Sequence, residues 1–196
     1  MILSNVAIHK AIDDGALKIQ PEPSPRLNSL SGSSSPYDTT SVNLRLSPAL
    51  SIADETKPFV FDLRQKGLAQ FLKDAYRSHE IDRDGGFALK PGLFVLGKTV
   101  ETIELPIRPG ERCLAARVEG RSSFARCGLL IHFTAPTIHA GFSGTITFEI
   151  MNLGKQPILL LPDMQICQLI FEWVDGHPLS NDSQFQGQRT PEGTPS

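Results

Sequence analysis

"GTITFEIMN", Gly144 to Asn152, alternates apolar and polar side chains over most of its length. A period of two sends Ile146, Phe148 and Ile150 to one face of an extended chain and Thr145, Thr147 and Glu149 to the other. A helix would scatter the same residues around its axis, so the stretch predicts a strand with one apolar face. Further β-favouring runs share the chain from Gly86 onward: "GLFVLGKTV" (92–100), "RCLAARVEG" (112–120), "GLLIHFT" (128–134), "PILLLP" (157–162) and "QICQLIFEWV" (165–174). Turn residues separate them at intervals of about ten, the pattern of an all-β sandwich or barrel.

Outside this region the elements differ. Ser4, the Ile8/Ile12 spacing and Gly15 give an N-cap, an amphipathic face and a stop, predicting a helix of about three turns. Pro21 to Thr40 is rich in Pro, Ser and Gly and predicts an extended or mobile loop. A second helix is predicted from about Leu68 to Ser78, closed by the "DRDGG" turn (82–86). After Val174 no core pattern remains, and by composition alone the tail is a disordered end. The expected organisation is one β domain with an N-terminal helix over 1–174 and a flexible arm over 175–196.

A chain of 196 residues, 40% of them apolar, can bury one real core. Its 19 basic and 21 acidic side chains are scattered, so no electrostatic footprint for nucleic acid emerges and an anionic ligand needs a local site. Cys113, Cys127 and Cys167 are odd in number, far apart and never in a C-x-x-C pair. That argues against a disulfide framework and against zinc, and reads as buried thiols in a reducing compartment. The first residues lack a basic segment followed by an apolar one, and no apolar run approaches the roughly 20 residues of a membrane span. No membrane association is expected, and the cytoplasm is the expected location.

Two places carry candidate chemistry. "EGRSSFARCG", Glu119 to Gly128, packs two arginines and two hydroxyls, a set that suits phosphate recognition; a polar turn with surface arginines is the alternative. Glu149 is either a carboxylate on a solvent-facing strand or, in a partly dry pocket, a group with a raised pKa that can shuttle protons. His132, in an apolar strand, reads as a hydrogen-bonded core histidine. His139, in a glycine-bounded turn, reads as a solvated loop residue or a ligand contact. No residues have metal-ligand spacing, and there is no nucleophile elbow.

Taken in order, "EGRSSFARCGLLIHFTA", "TIHAGFSGTITFEIMN", "PILLLPDMQICQLIFEW" and "QFQGQ" resemble the successive motifs of the dCTP deaminase family, relatives of the trimeric dUTPases. The resemblance extends to "ILSNVAIHKAIDDGALKIQP", to "SVNLRL" and to the C-terminal arm, and is weaker from about Ser47 to Leu89. It implies a mainly β fold, a distorted jelly-roll β-barrel of the dUTPase-like type. It also implies a homotrimer with nucleotide sites at the subunit interfaces, each closed by a C-terminal arm. The implied reaction is hydrolytic deamination of dCTP to dUTP and ammonia, with Mg2+ carried on the triphosphate and no zinc.

Position by position, the resemblance makes Glu149 the general acid/base. Arg126 and Ser122 would hold the attacking water and steady the developing charge. Phe133 and Ala135 would read the pyrimidine edge through main-chain groups, and Arg121 and Ser123 would contact the triphosphate. Phe142 would pack against the sugar, and Gln188 would be the glutamine of the closing arm. The chain departs from the family pattern at His139, where an aspartate is usual. A histidine can hydrogen-bond a sugar hydroxyl but cannot replace a permanently anionic base, so little or no dUTP pyrophosphatase activity is expected. Gln184 and Phe185 stand where Lys and Tyr are common, "HPLSND" lacks the usual tyrosine and arginine, and Asn43 replaces an aspartate in a structural role. A weaker grip of the arm on the triphosphate follows. A diverged trimer that binds a deoxynucleotide without turnover is the rival reading, and a dUTPase or bifunctional deaminase–dUTPase is a third.

Overall fold

The computed structural model describes residues 1–28, 34–57, 59–62, 64, 67–179 and 186–193. In chain order it holds α1 (Asn5–Asp13), β1 (Lys18–Gln20), β2 (Val42–Ala53), α2 (Leu68–Ala75), β3 (Tyr76–Glu80), β4 (Phe87–Leu89) and β5 (Phe94–Glu104). There follow β6 (Leu114–Gly120), α3 (Ser122–Ala125), β7 (Leu129–Leu130), β8 (Thr137–Ile138), β9 (Ser143–Asn152), β10 (Ile158–Leu160) and β11 (Gln165–Trp173). The chain is mainly β, as expected. β9 carries the alternation of "GTITFEIMN": Ile146, Phe148 and Ile150 are buried.

Among the described residues the main sheet runs β7-β9-β5-β2-β11-β6-β8, with β1 added to β5 and β3 added to β2. All its pairings are antiparallel, and β4 and β10 form a separate two-stranded ribbon. β2 is the corner of this architecture. Its first part, Val42 to Arg45, pairs with β11, and from Leu46 onward it pairs with β5. A strand that changes partner midway folds one sheet over on itself, which encloses a core. Leu44, Leu46 and Leu50 of β2, Val95 and Ile103 of β5, Phe148 of β9 and Leu169 and Phe171 of β11 meet there with no exposed surface. Each such side chain contributes about 1.5–3 kcal/mol by leaving water.

The corner is pinned by a carboxylate. Glu101 of β5 is wholly buried, and its two oxygens accept from Arg45 N–H at 2.9 Å and Arg45 Nε at 2.7 Å. Two residues away, Thr99 Oγ1 donates to the Glu101 carbonyl at 2.6 Å and accepts from Ile146 N–H at 2.9 Å. Both ladders of β5 shift register here, between Leu46 and Leu50 on one side and between Lys98 and Thr102 on the other. The side chains of Thr99 and Glu101 thus take up hydrogen bonds that an irregular ladder leaves unmade.

α1 starts and stops as expected. The Ser4 hydroxyl accepts from Ala7 N–H at 3.3 Å, Ile8 and Ala11 are buried, and Gly15 takes φ +70°. The proline-rich loop holds neither helix nor strand among its described residues; positions 29–33 of it lie outside them. Three expectations need correction. β2 precedes the region that read as β, and it lacks alternation because it is buried on both faces and carries Pro48 at its register shift. The second helix ends at Ala75: Tyr76 turns extended (φ −111°, ψ 152°), and Tyr76 to Glu80 pair with Ala49 to Ala53 of β2, whose open edge outcompetes one more helical turn. Of the three cysteines only Cys113 and Cys167 are buried; Cys127 lies exposed beyond α3.

The asymmetry of the corner ion pair makes a stability prediction. Arg45 is about one-third exposed whereas Glu101 is not exposed at all. Arg45→Met strands a buried charge and should cost about 3–5 kcal/mol. Glu101→Gln leaves a cation that water reaches and should cost distinctly less. Urea unfolding of the two variants checks the order.

Candidate active site

Glu149 sits on the outer face of β9, directly opposite Leu96 of β5. The next pair along that face is Phe94 with Met151, and Phe94 meets the ring of Phe133 at 5.8 Å, edge to face. Phe133 belongs to the stretch after β7. Because Leu130 pairs with Met151, that stretch is held beside β9, and it brings the Phe133 main-chain N–H near enough to the Glu149 carboxylate to favour its charged form. Burial is the largest influence on this carboxyl and raises its pKa above the usual glutamate range. The Phe133 and Glu149 main-chain N–H bonds and the nearby His132 pull the other way. A glutamate on an outer face is therefore half dry and holds a proton more tightly than an exposed glutamate would.

The main-chain N–H of Phe133 thus faces Glu149, while its ring is 46% exposed and Ala135 is exposed close by in sequence. His132 is half-buried, but its Nδ1 is shut from solvent with no hydrogen-bond partner among the described residues. The expectation of a hydrogen-bonded core histidine is corrected accordingly: β7 is only two residues long, so His132 falls beyond the ladder that would have enclosed it.

The hydroxyl and guanidinium cluster divides in two. Ser122, Ser123 and Arg126 lie exposed on and just after α3. Among the described residues no hydrogen bond or ion pair joins these side chains to Glu149. Arg121, the residue before α3, turns back instead. Its Nη1 donates to the Gln165 carbonyl at 3.1 Å and to Gln165 Oε1 at 3.3 Å, and its guanidinium lies 5.4 Å from the centre of the Phe124 ring. Gln165 was not anticipated from sequence. It pairs with Arg45, so the strand register that builds the corner also anchors Arg121.

Towards the start of β9, His139 is exposed in the turn and its carbonyl accepts from Phe142 N–H at 3.2 Å. Phe142 is half-buried against the core. The first part of β9 has an edge that β7 does not reach, and residues 186–189 of the C-terminal segment occupy it. Gly187 N–H donates to the Ser143 carbonyl at 2.8 Å, Thr145 N–H to the Gln188 carbonyl at 3.0 Å, and Gln188 Nε2 to the Thr145 carbonyl at 2.7 Å. Gln188 is buried, which the composition of the tail did not announce. Gly144, at φ +154°, permits the approach: a Cβ there would stand 3.0 Å from the Gln188 carbonyl oxygen. Farther on, Arg189 reaches Thr102 of β5 and Glu192 reaches the Ser51 hydroxyl of β2. Gln184 and Phe185 lie outside the described residues. Asn43, the other noted departure, is buried; its Nδ2 donates to the Pro36 carbonyl at 2.9 Å and to Asp38 at 3.1 Å, where an aspartate would meet a like charge.

A family model described as dCTP deaminase-like matches residues 2–174. The chain belongs to the dCTP deaminase-like family. Within it, the chain is similar to the "dCTP deaminase, dUMP-forming" of Coprothermobacter proteolyticus, 38% identical over 99% of this chain and 95% of that protein. It is 34% identical to the protein of the same name from Methanosphaera stadtmanae, over 97% of this chain and 91% of the relative. It is 32% identical to the "dCTP deaminase" of Natronomonas pharaonis, over 99% and 94%. Among solved structures, the 2'-deoxycytidine 5'-triphosphate deaminase of Agrobacterium tumefaciens shares the fold at a TM-score of 0.62 and 19% identity. That likeness covers 87% of this chain and 48% of the other, about half of the Agrobacterium chain.

In this dCTP deaminase-like chain no three His, Cys, Asp or Glu side chains gather to hold a metal ion among the described residues. No described helix is long and apolar enough to cross a membrane.

Replacing Glu149 tests the dryness of its setting. With a folded-state pKa above the unfolded one, the carboxyl supports the fold when protonated, and that support is lost as pH rises through the folded value. Glu149→Gln stays neutral and keeps an oxygen for the Phe133 N–H. Its Tm should exceed that of the wild type at pH 8, by about 2–4 °C per kcal/mol of relieved strain, and the two should converge near pH 4. Calorimetry at the two pH values reads the difference.

Proposed function

We propose that the protein hydrolyses the C4 amine of dCTP, releasing dUTP and ammonia, with Glu149 as general acid and base. The observation that carries this reading is the half-dry carboxyl on β9, faced by the Phe133 main chain and backed by Leu96, in a chain of the dCTP deaminase-like family. In this mechanism ionised Glu149 takes a proton from water as the oxygen bonds to C4, and delivers it to N3 of the ring. The tetrahedral centre then collapses: the carboxylate accepts the proton of the new hydroxyl and passes it to the departing amine. One group must serve in both directions, and a pKa raised towards neutrality suits it to both. Ser122 and Arg126 would place the water and steady the oxyanion. Arg121 and Ser123 would take the phosphates, Ala135 and the Phe133 carbonyl the pyrimidine edge, Phe142 and His139 the sugar, and Gln188 would seat the arm that shuts out water.

Because Ser122, Ser123 and Arg126 project away from the fold without partners among the described residues, they suit the Glu149 of a second copy better than their own. The reading therefore includes the homotrimer, with sites shared between copies. Magnesium would arrive on the triphosphate as part of the substrate; with no carboxylate cage among the described residues, phosphate oxygens are the natural holders.

A second reading concerns the product. The relatives from Coprothermobacter and Methanosphaera are named as dUMP-forming. A chain that follows them would cleave the α-phosphate of its own dUTP, whereas His139, exposed and without an anionic charge, favours release of dUTP intact.

Incubation with dCTP and magnesium should release ammonia, and Glu149→Gln should lower kcat about 10²–10⁴-fold. The acid limb of the wild-type pH profile should lie above the ordinary glutamate value of about 4.3. Binding of dCTP with no ammonia released would leave a nucleotide-binding protein without turnover. Separating dUTP from dUMP and pyrophosphate decides between the two products, with dUTP expected. Mixing and reassembling the inactive Glu149→Gln and Arg126→Gln proteins should restore part of the activity if one site draws on two copies; no recovery would place each site within a single chain.

A further inference from the structure

Two cations converge on the Glu149 face, and among the described residues no negative charge is set between them. Lys98 of β5 stands directly across from Thr147 of β9. That pair is the next same-face step along the ladder from Leu96 and Glu149, roughly 7 Å away at the rise of a strand. Lys98 is half-buried, and among the described residues it makes no hydrogen bond or ion pair. Arg189 arrives from the C-terminal segment: its Nη1 donates to Thr102 Oγ1 at 2.7 Å, and Thr102 stands across from Thr145, the residue that seats Gln188. Thr147 Oγ1, between these positions on β9, is buried and has no partner among the described residues. Glu192, the carboxylate that follows, turns to Ser51 of β2.

The cost of this arrangement is legible in Lys98. Burial first, and then the nearby Arg189, hold its ammonium below the ordinary lysine pKa. Like charges brought together where water is scarce are unfavourable until an anion joins them. The placement is also specific in sequence terms, because Arg189 is the only Lys or Arg after Lys155.

We propose that Lys98 and Arg189 form a two-pronged anion clamp on the Glu149 face that holds the phosphates of the bound nucleotide, with the Thr147 hydroxyl as a further donor. The assignment of a nucleotide to this face rests on the function proposed above; the clamp itself requires only an oligophosphate. A base seated against Glu149 leaves its phosphates one or two ladder steps away, where these groups lie. Because Arg189 rides on the segment seated by Gln188, the clamp closes only when that segment docks, which couples phosphate recognition to closure.

The test uses the full-length protein and inorganic tripolyphosphate as the probe. Titration calorimetry should give measurable binding to the wild type, weakened about tenfold or more in Lys98→Gln and in Arg189→Gln, the effect expected from losing one charge-assisted bond. Lys98→Arg should recover most of the affinity, and Lys10→Gln, on α1 beside Asp14, should leave it unchanged. In turnover, KM for dCTP should rise in both Gln variants by more than kcat falls, while affinity for deoxycytidine, which has no phosphate, stays at the wild-type level. Circular dichroism confirms that each variant is folded. Tripolyphosphate binding that is undetectable in the wild type, or equal in wild type and both Gln variants, overturns the clamp. Equal losses for dCTP and deoxycytidine overturn it as well, since they mark a structural role. Lys98-dependent tripolyphosphate binding in a protein that releases no ammonia would keep the clamp and remove the deaminase reading. Ammonia release with an unchanged KM in Lys98→Gln would do the reverse.

Discussion

The fold turns on one buried carboxylate. Glu101 lies at the point where β2 leaves β11 for β5, and it binds both the main-chain N–H and the guanidinium of Arg45 there. A charge with no exposed surface is tolerable only when its lone pairs are filled, so the groups that fill them cannot drift. Thr99 extends the same constraint to β9 through Ile146. Between them the two side chains fix a double register shift. The shift determines which residues of β5 stand opposite Thr145, Thr147 and Glu149. Displacing the ladder by one residue would send Glu149 into the core and turn Phe148 out of it.

That register divides β9 into zones with different chemistry. Near Asn152 the outer face is walled by Leu96, Phe94 and Phe133, which dries the Glu149 carboxyl. Towards Ser143 it is polar, lined by Thr145, Thr102 and Lys98, and its open edge takes the C-terminal segment. A group that exchanges protons belongs in the dry zone, where the charged and neutral forms lie closer in energy. Groups that hold permanent anions belong in the other. On the proposed reading the same strand serves both, because side chains two apart share a face while their surroundings across the ladder differ.

The strands with one apolar face could be read directly: alternation in "GTITFEIMN" gave β9, and with it the outward direction of Glu149. β2 could not be read this way, since burial on both faces removes the period and Pro48 argues against a strand unless its bulge is known. The end of α2 was equally opaque, because Tyr76 to Glu80 become a strand only where the edge of β2 is on offer. At the site, family resemblance singled out Glu149, Phe133 and Gln188, and the structure sets the first two near one another and seats the third on β9. Gln165 behind Arg121, and Lys98 beside Arg189, had no local signal at all. Each pairing joins residues far apart in the chain through strand register or through the docked tail, and a bulge shifts the count in between.

On the proposed reading, the separation of Glu149 from Arg126 within one chain has a chemical consequence. An arginine within hydrogen-bond reach of Glu149 would stabilise its ionised form and draw its pKa down against the effect of burial. In the single chain burial prevails, and the carboxyl binds its proton more tightly than an ordinary glutamate does. Bringing the Arg126 of a second copy alongside would lower that pKa and make the ionised form, the one that must deprotonate water, more available. A chain with both groups on one face would instead hold the carboxylate permanently in an ion pair, ready to accept a proton but poor at giving one back. Splitting the pair between copies leaves the hydrophobic wall to set the base level of proton affinity and assembly to trim it. The two halves of the proton cycle then depend on different parts of the structure, the first on the partner's charge and the second on the dry face of β9.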